Sequence, residues 1–176
     1  MFPSSKNIKL AGMKLRLLLL SQVLLFAFFP PGRGKKPNKT LNDSVFVVGD
    51  VIQIPRITFL PSPDYGKMNK DTQDSLNIVG DFLLNHPNLT VDLINHTDYR
   101  GSFNYNNQMS QERARVCVKY LITEKLVPQS RIVPKGAGEY FLIKDELEVE
   151  RAKTKEEREA MHEMNVRTEL VVTKVD

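Results

Sequence analysis

The chain has 176 residues, which is enough for one ordinary domain with a tail and too few for two full-sized domains. Its 25 basic and 21 acidic residues give a net charge of +4, and 41% of its residues are hydrophobic, as in folded globular proteins. Residues 1–31 hold four of the basic residues and no acidic one, so the rest of the chain carries 21 of each sign. The net positive charge therefore does not indicate a nucleic-acid partner.

Cysteine and histidine are too few and too scattered to predict a metal centre. Cys117 is the single cysteine, which excludes an intramolecular disulfide and a cysteine-rich zinc site. The three histidines, His86, His96 and His162, lack the spacing of metal ligands. We therefore expect the protein to use neither a metal nor a cofactor.

Residues 1–31 have the pattern of a signal peptide or N-terminal leader. Basic residues precede Leu17–Phe29, an apolar stretch shorter than the ~20 residues that span a bilayer as a helix. We expect export, cleavage within Pro30–Thr40 and no membrane span after the leader is removed, with an uncleaved anchor as the alternative. Residues 32–44 are polar and contain turn formers, which predicts a linker.

Residues 45–176 alternate between predicted strands and helices, as expected of one domain. Enrichment in β-branched and aromatic residues predicts extended segments at Val45–Val48, Val51–Ile54, Ile57–Phe59, Thr90–His96, Arg131–Lys135 and Arg167–Val175. Helical spacing of apolar residues predicts one helix from a cap at Asp71 or Thr72 to His86 and another from Asn107 to Glu124. Residues 144–163 are rich in charge, which is typical of a partly helical, solvated surface.

This alternation favours the α/β class with a small sheet. Pro134 cannot donate a backbone hydrogen bond, so Arg131–Lys135 is predicted to lie at the edge of that sheet.

Asp98 and Arg113 are the candidate binding residues. Asp98 follows the end of a predicted buried strand, where open α/β sheets usually bind ligands. Arg113 lies four residues after Met109 and four before Cys117, which places a guanidinium on the apolar side of its helix. A charge in that position needs a partner. The two residues either form a structural salt bridge or bind the carboxylate and the ammonium of one ligand.

The segment around these residues resembles the signature of OmpA-like domains of the OmpA and MotB C-terminal type, which bind peptidoglycan. The family pattern T-D-x-x-G-S-x-x-Y-N-x-x-L-S-x-x-R-A is matched from Thr97 to Ala114, except that Met109 replaces leucine. The resemblance extends over residues 55–173, through His96, the Gly136–Glu139 turn and Asn165–Glu169.

The resemblance implies an α+β sandwich of order β-α-β-α-β-(α)-β, with a small mixed sheet packed on helices over residues 45–176. It also implies a non-catalytic domain that recognises the diaminopimelate of the peptidoglycan stem peptide. Asp98 would accept the ligand's ammonium and Arg113 would bind its carboxylate, while Asn106 and Thr97 complete the ligand-binding set. The implied location is the periplasm, at the cell wall or outer membrane.

Three positions depart from the family pattern. Asn95 replaces a glycine, with an expected effect on strand packing only. Leu60 and Val166 replace polar residues that can line the ligand pocket, which predicts weaker binding or a shifted pose.

Two other functions remain as alternatives. The first is an envelope protein-interaction or scaffold module of the same fold, in which Asp98 and Arg113 form only a salt bridge and the partner is an envelope protein. The second is a hydrolase in which His96 acts as a base oriented by Asp98, but the sequence offers no candidate nucleophile for it. Cys117 lies among apolar helical neighbours, where a thiol is usually inert.

Overall fold

The computed structural model describes residues 37–55, 57–59 and 67–176. The strands are β1 (Val51–Ile54), β2 (Leu89–His96), β3 (Ile132–Gly138) and β4 (Thr168–Val175). The helices are α1 (Lys70–Asn85), α2 (Phe103–Thr123), α3 (Glu146–Glu150) and α4 (Lys155–Asn165). The predicted leader, residues 1–31, lies outside the described residues.

The four strands form one mixed sheet in the order β1-β4-β2-β3. β4 is antiparallel to both β1 and β2, whereas β2 and β3 are parallel. β3 is an edge strand, as Pro134 predicts, and it runs to Gly138 rather than ending at Lys135. The predicted α+β sandwich with a small mixed sheet is thereby confirmed.

The main core lies between one face of the sheet and helices α1 and α2. Alternate residues of β2 and β4 point into it, and they pack against fully buried helical side chains such as Leu76, Leu83 and Leu121. A smaller cluster on the other face joins Ile94, Ala137 and Val171. The carboxyl end of β2 therefore lies between two buried layers, which fixes the position of the residues that follow it.

Both long helices begin earlier than predicted because a polar residue upstream of each predicted start acts as the cap. Asn69, rather than Asp71 or Thr72, caps α1 by accepting from the amide of Thr72. Ser102 caps α2 by accepting from the amide of Tyr105. Residues 103–106, which lie before the predicted start at Asn107, are therefore the first turn of α2.

Val45–Val48 does not form the predicted strand. Phe46 alone is buried there, against Phe82 and His86, and a turn follows in which Asp50 accepts from the amide of Val47 at 2.9 Å. Ile57–Phe59 is also not a strand, and only Phe59 makes an isolated bridge, to Met68. β-Branched residues favour strands only where a neighbouring strand can pair with them.

The segment predicted as a linker contacts the domain at Asn38. Its side chain donates to Asp50 at 2.8 Å and accepts from the amide of Val51 at 2.8 Å. The charge-rich residues 144–163 are partly helical, as predicted, and contain α3 and most of α4. Within the described residues, no helix combines the length and the apolar composition needed to cross a membrane.

Candidate binding site at the end of strand β2

Asp98 is buried two residues beyond the end of β2, where its carboxylate accepts hydrogen bonds from Arg100. The backbone amide of Arg100 lies 2.9 Å from Oδ1, while Nε and Nη2 lie 2.7 and 2.6 Å from Oδ2. His162 of α4 places Nδ1 3.3 Å from the same Oδ2, and Arg100 also pairs with Glu159 at 3.0 Å. The Asp98 carboxylate is thus held by its own loop, with the imidazole of His162 from α4 beside it.

Asn106 holds the loop that contains Asp98. Its side chain is fully buried in the first turn of α2, where Nδ2 donates to the backbone oxygen of Asp98 at 3.2 Å and to the carboxylate of Glu139. Thr97 is buried as well, and its amide donates to the backbone oxygen of Gly138 at 2.9 Å. Gly101 turns the chain between them with φ at +113°, a value that glycine adopts readily.

Arg113 makes no ion pair with any described residue. Its Nε is buried without a hydrogen-bond partner, and its guanidinium lies over the Phe59 ring, 4.9 Å from the centroid. Burial lowers the pKa of Arg113, while Tyr105 and Asp98 act in the opposite direction. Arg113 therefore lies on the apolar side of its helix, as the spacing predicts, and its guanidinium has hydrogen-bond donors that no described residue uses.

The structural salt bridge between Asp98 and Arg113 is not formed. Arg100 takes the carboxylate of Asp98 instead, because it lies two residues away in the same turn and reaches Asp98 with both its backbone amide and its side chain. This removes the form of the scaffold hypothesis in which Asp98 and Arg113 neutralise each other.

A cavity of about 520 Å³ opens beside Arg113. Its lining comes from the end of β1 and the segment after it, from the end of β2, from α2, and from α4 with the start of β4. The lining residues include Thr58, Phe59, Asn95, Arg113, Glu163 and Val166. Asp98 is not among the lining residues. The structure therefore places Arg113 in a cavity and Asp98 in the adjoining loop.

The positions that depart from the family pattern can now be located. Asn95 lines the cavity, and its Nδ2 donates to Thr168 Oγ1 of β4 at 2.8 Å. The expectation that Asn95 affects strand packing alone is therefore incomplete. Val166 lines the cavity with an exposed apolar side chain. Leu60 lies outside the described residues.

His96 is engaged with Glu169 rather than with Asp98. Its Nε2 lies 3.1 Å from one carboxylate oxygen of Glu169, and Arg167 Nε donates to the other at 2.6 Å. All three side chains are buried, so this is a charged cluster inside the domain.

Cys117 is the other residue considered for the hydrolase alternative. Burial raises the pKa of its thiol to about 12, which suppresses the nucleophilic thiolate.

Sequence reasoning missed Arg100, His162 and Glu169. A local signal existed for Arg100, since an arginine two residues from an aspartate in a glycine turn can fold back on it. His162 lies 64 residues from Asp98 in the chain, and Glu169 lies 73 residues from His96. No pattern in the sequence predicted those contacts.

Comparisons with known proteins agree with this architecture. A sequence model of the OmpA family matches residues 62–160. No curated protein matches the chain.

Several solved structures have the same fold. The peptidoglycan-associated lipoprotein from Burkholderia pseudomallei is 20% identical, with a TM-score of 0.51 over 66% of this chain and 89% of that one. A MotB-like protein from Desulfovibrio vulgaris is 19% identical, with a TM-score of 0.53 over 75% and 78% of the two chains. The cell wall anchor of the T6SS from Pseudomonas aeruginosa is 18% identical, with a TM-score of 0.52 over 70% and 79%. At these identities the likeness shows the fold. Because the family model matches more than half of the 176 residues, the chain belongs to the OmpA family.

Proposed function

We propose that the protein is a non-catalytic peptidoglycan-binding domain of the cell envelope that recognises the diaminopimelate of the stem peptide. Arg113 binds the carboxylate at the free end of diaminopimelate, and Asp98 accepts a hydrogen bond from the ammonium on the same carbon. Asn106 and Thr97 hold the loop that presents Asp98.

The unpaired guanidinium of Arg113 is the observation that carries this proposal. A partly buried cation without a counterion costs free energy, and burial already lowers its pKa. Its side chain borders an open cavity instead of a carboxylate of the described residues. A ligand carboxylate would satisfy two of its donors at once, because the guanidinium is a planar fork.

Asp98 retains the capacity for one further contact. A carboxylate offers about four lone-pair sites, and Arg100 occupies three with its amide, Nε and Nη2. An ammonium can take the remaining site or displace the half-exposed Arg100 side chain. The affinity of the site therefore depends on how firmly Arg100 is held.

The names of two structural neighbours support an envelope function. One is described as peptidoglycan-associated and another as a cell wall anchor. By this analogy we place the protein in the periplasm, at the cell wall or outer membrane. The second candidate function is a scaffold role with an envelope protein as the partner. The observation that favours it is that Arg100 already occupies the carboxylate of Asp98.

Calorimetric titration with the tripeptide L-Ala-γ-D-Glu-meso-diaminopimelate tests the proposal, together with co-sedimentation on insoluble peptidoglycan. The wild-type protein should bind both, and Arg113→Ala should lower the affinity at least tenfold, since hydrogen bonds to charged groups contribute about 1.5–3 kcal/mol each. Arg115→Ala is the matched control, because Arg115 is an exposed arginine of the same helix outside this cavity.

Folded Arg113→Ala protein that binds as tightly as the wild type would contradict the role of Arg113. A wild type that binds neither the tripeptide nor the wall would exclude peptidoglycan as the ligand and leave the envelope scaffold.

A further inference from the structure

The cavity beside Arg113 contains two hydrogen-bond acceptors that no described residue uses. They are Oδ1 of Asn95, on β2, and the carboxylate of Glu163, on α4. The family signature assigns no role to either. Both border the same 520 Å³ space as the guanidinium of Arg113.

Asn95 is 3% exposed, and only half of its amide is engaged. Nδ2 donates to Thr168 Oγ1 at 2.8 Å, whereas Oδ1 is buried without a partner among the described residues. An unsatisfied buried acceptor destabilises the folded protein. Because Asn95 lines the cavity, a hydrogen-bond donor of a ligand there would satisfy it.

Glu163 is the second acceptor, and its carboxylate makes no ion pair or hydrogen bond with the described residues. Two neighbouring carboxylates of α4 are engaged: Glu157 accepts from the amide of Lys153 at 2.8 Å, and Glu159 pairs with Arg100 at 3.0 Å. Glu163 is exposed at the rim of the cavity. It supplies a negative charge on the same cavity that Arg113 lines with a positive one.

We propose that Asn95 and Glu163 accept hydrogen bonds from the ligand's ammonium while Arg113 binds the adjacent carboxylate. This inference rests on the proposed function and deepens it by naming specificity residues. An ammonium carries three donors, so contacts to Asn95 and Glu163 still leave one for Asp98. The favoured ligand end is a carbon that bears both an ammonium and a carboxylate, whereas a lysine end offers only the ammonium.

A ligand analogue isolates this contact. We would compare L-Ala-γ-D-Glu-meso-diaminopimelate with the same tripeptide containing 2-aminopimelate, which keeps the terminal carboxylate and lacks the terminal amino group. Glu163→Gln should weaken binding of the diaminopimelate peptide about tenfold and leave the aminopimelate peptide unaffected, because the lost contact is charge-assisted. Glu156→Gln removes the same charge from the same helix outside the cavity, and it should change neither affinity.

Asn95→Ala should weaken binding of the diaminopimelate peptide about fivefold, again without effect on the aminopimelate peptide. It also removes the hydrogen bond to Thr168, so Tyr120→Phe serves as its stability control. That variant loses one hydrogen bond between α2 and α1, from Tyr120 to Asn77, outside the cavity. Circular dichroism establishes that each variant is folded before titration.

The outcomes separate this inference from the proposed function. If Arg113→Ala loses affinity while Glu163→Gln and Asn95→Ala do not, this inference is wrong and the proposed function stands. Equal losses on both peptides would also overturn it, because the affected contact would not be the ammonium. If the wild type binds neither peptide, both proposals fail.

Discussion

Arg100 covers the carboxylate of Asp98 with three donors, at 2.6, 2.7 and 2.9 Å. The Arg100 side chain is 52% exposed and that of Asp98 is 7% exposed, so a surface cation shields a buried anion. The same anion is the proposed acceptor for a ligand ammonium. In the proposed complex, Arg100 would therefore compete with the ligand ammonium for Asp98.

Arg100→Ala should tighten binding of the diaminopimelate tripeptide by about three- to tenfold, because the ammonium no longer has to share Asp98. The variant should also be less stable by about 1–2 kcal/mol, since a buried carboxylate loses its counterion. Titration calorimetry and thermal unfolding measure the two effects.

Glu159→Gln is the control for Arg100→Ala, because it removes the exposed partner of Arg100 and leaves the Asp98 contact intact. It should change stability by less than about 0.5 kcal/mol and leave the affinity unaltered. Unchanged or weaker binding by folded Arg100→Ala would show that Arg100 does not compete for the site.

Arg113→Met should abolish tripeptide binding without destabilising the fold. Nε of Arg113 is buried and finds no partner in the described part of the chain, so an apolar side chain of similar length removes an unsatisfied donor. The free energy of unfolding should stay constant or rise by about 1 kcal/mol. Arg131→Met is the matched control. Arg131 donates to backbone oxygens of Leu89 and His86 at 2.8 and 2.6 Å, and its replacement should cost about 1–3 kcal/mol. Equal destabilisation in urea unfolding would contradict this difference.

The Glu169 cluster should make stability depend on pH. Burial by itself would raise the pKa of Glu169, but His96 and Arg167 together hold it below the usual value of 4.5. The unfolded state therefore binds the proton first as the pH falls. The stability that Glu169 contributes is complete above about pH 4.5 and is lost as the pH falls through the folded-state pKa.

Glu169→Gln should lower the free energy of unfolding at pH 7 by about 3 kcal/mol, because Arg167 is left buried without its counterion. The difference from wild type should shrink below pH 4.5, as measured by thermal unfolding from pH 7 to pH 3. Asp74→Asn, in an exposed pair with Lys70, should change stability by less than about 0.5 kcal/mol throughout. A difference for Glu169→Gln that is independent of pH would contradict the linkage.

Cys117 should be unreactive in the native protein at pH 7. It is fully buried, and its thiol has a pKa raised to about 12, so both access and thiolate formation require unfolding. Cys117→Ala should cost about 1 kcal/mol of stability and leave wall binding unchanged. Rapid labelling by a thiol reagent without denaturant would show that the site opens in the native state.

The sequence predicted those features that depend on neighbours in the chain. The helical spacing of apolar residues located α1 and α2, because one buried face repeats along each helix, and enrichment in β-branched residues located β2 and β4. The same spacing placed Arg113 on the apolar side of α2. Val45–Val48 was mispredicted because β-branched residues require a partner strand, and their exposed side chains find none there.

Tertiary structure decided which charges meet. Asp98 could have paired with Arg113 as far as sequence spacing shows, and only the path of the Gly101 turn gives the carboxylate to Arg100 instead. Glu163 reaches the cavity of Arg113 because α4 and β4 return to the end of β2 after more than forty residues. Such contacts depend on how distant elements pack, and helical or strand periodicity carries no information about that packing. The sequence by itself thus determined the helices, most of the strands and the position of Arg113, whereas the fold decided that Arg113 faces an open cavity without a counterion among the described residues.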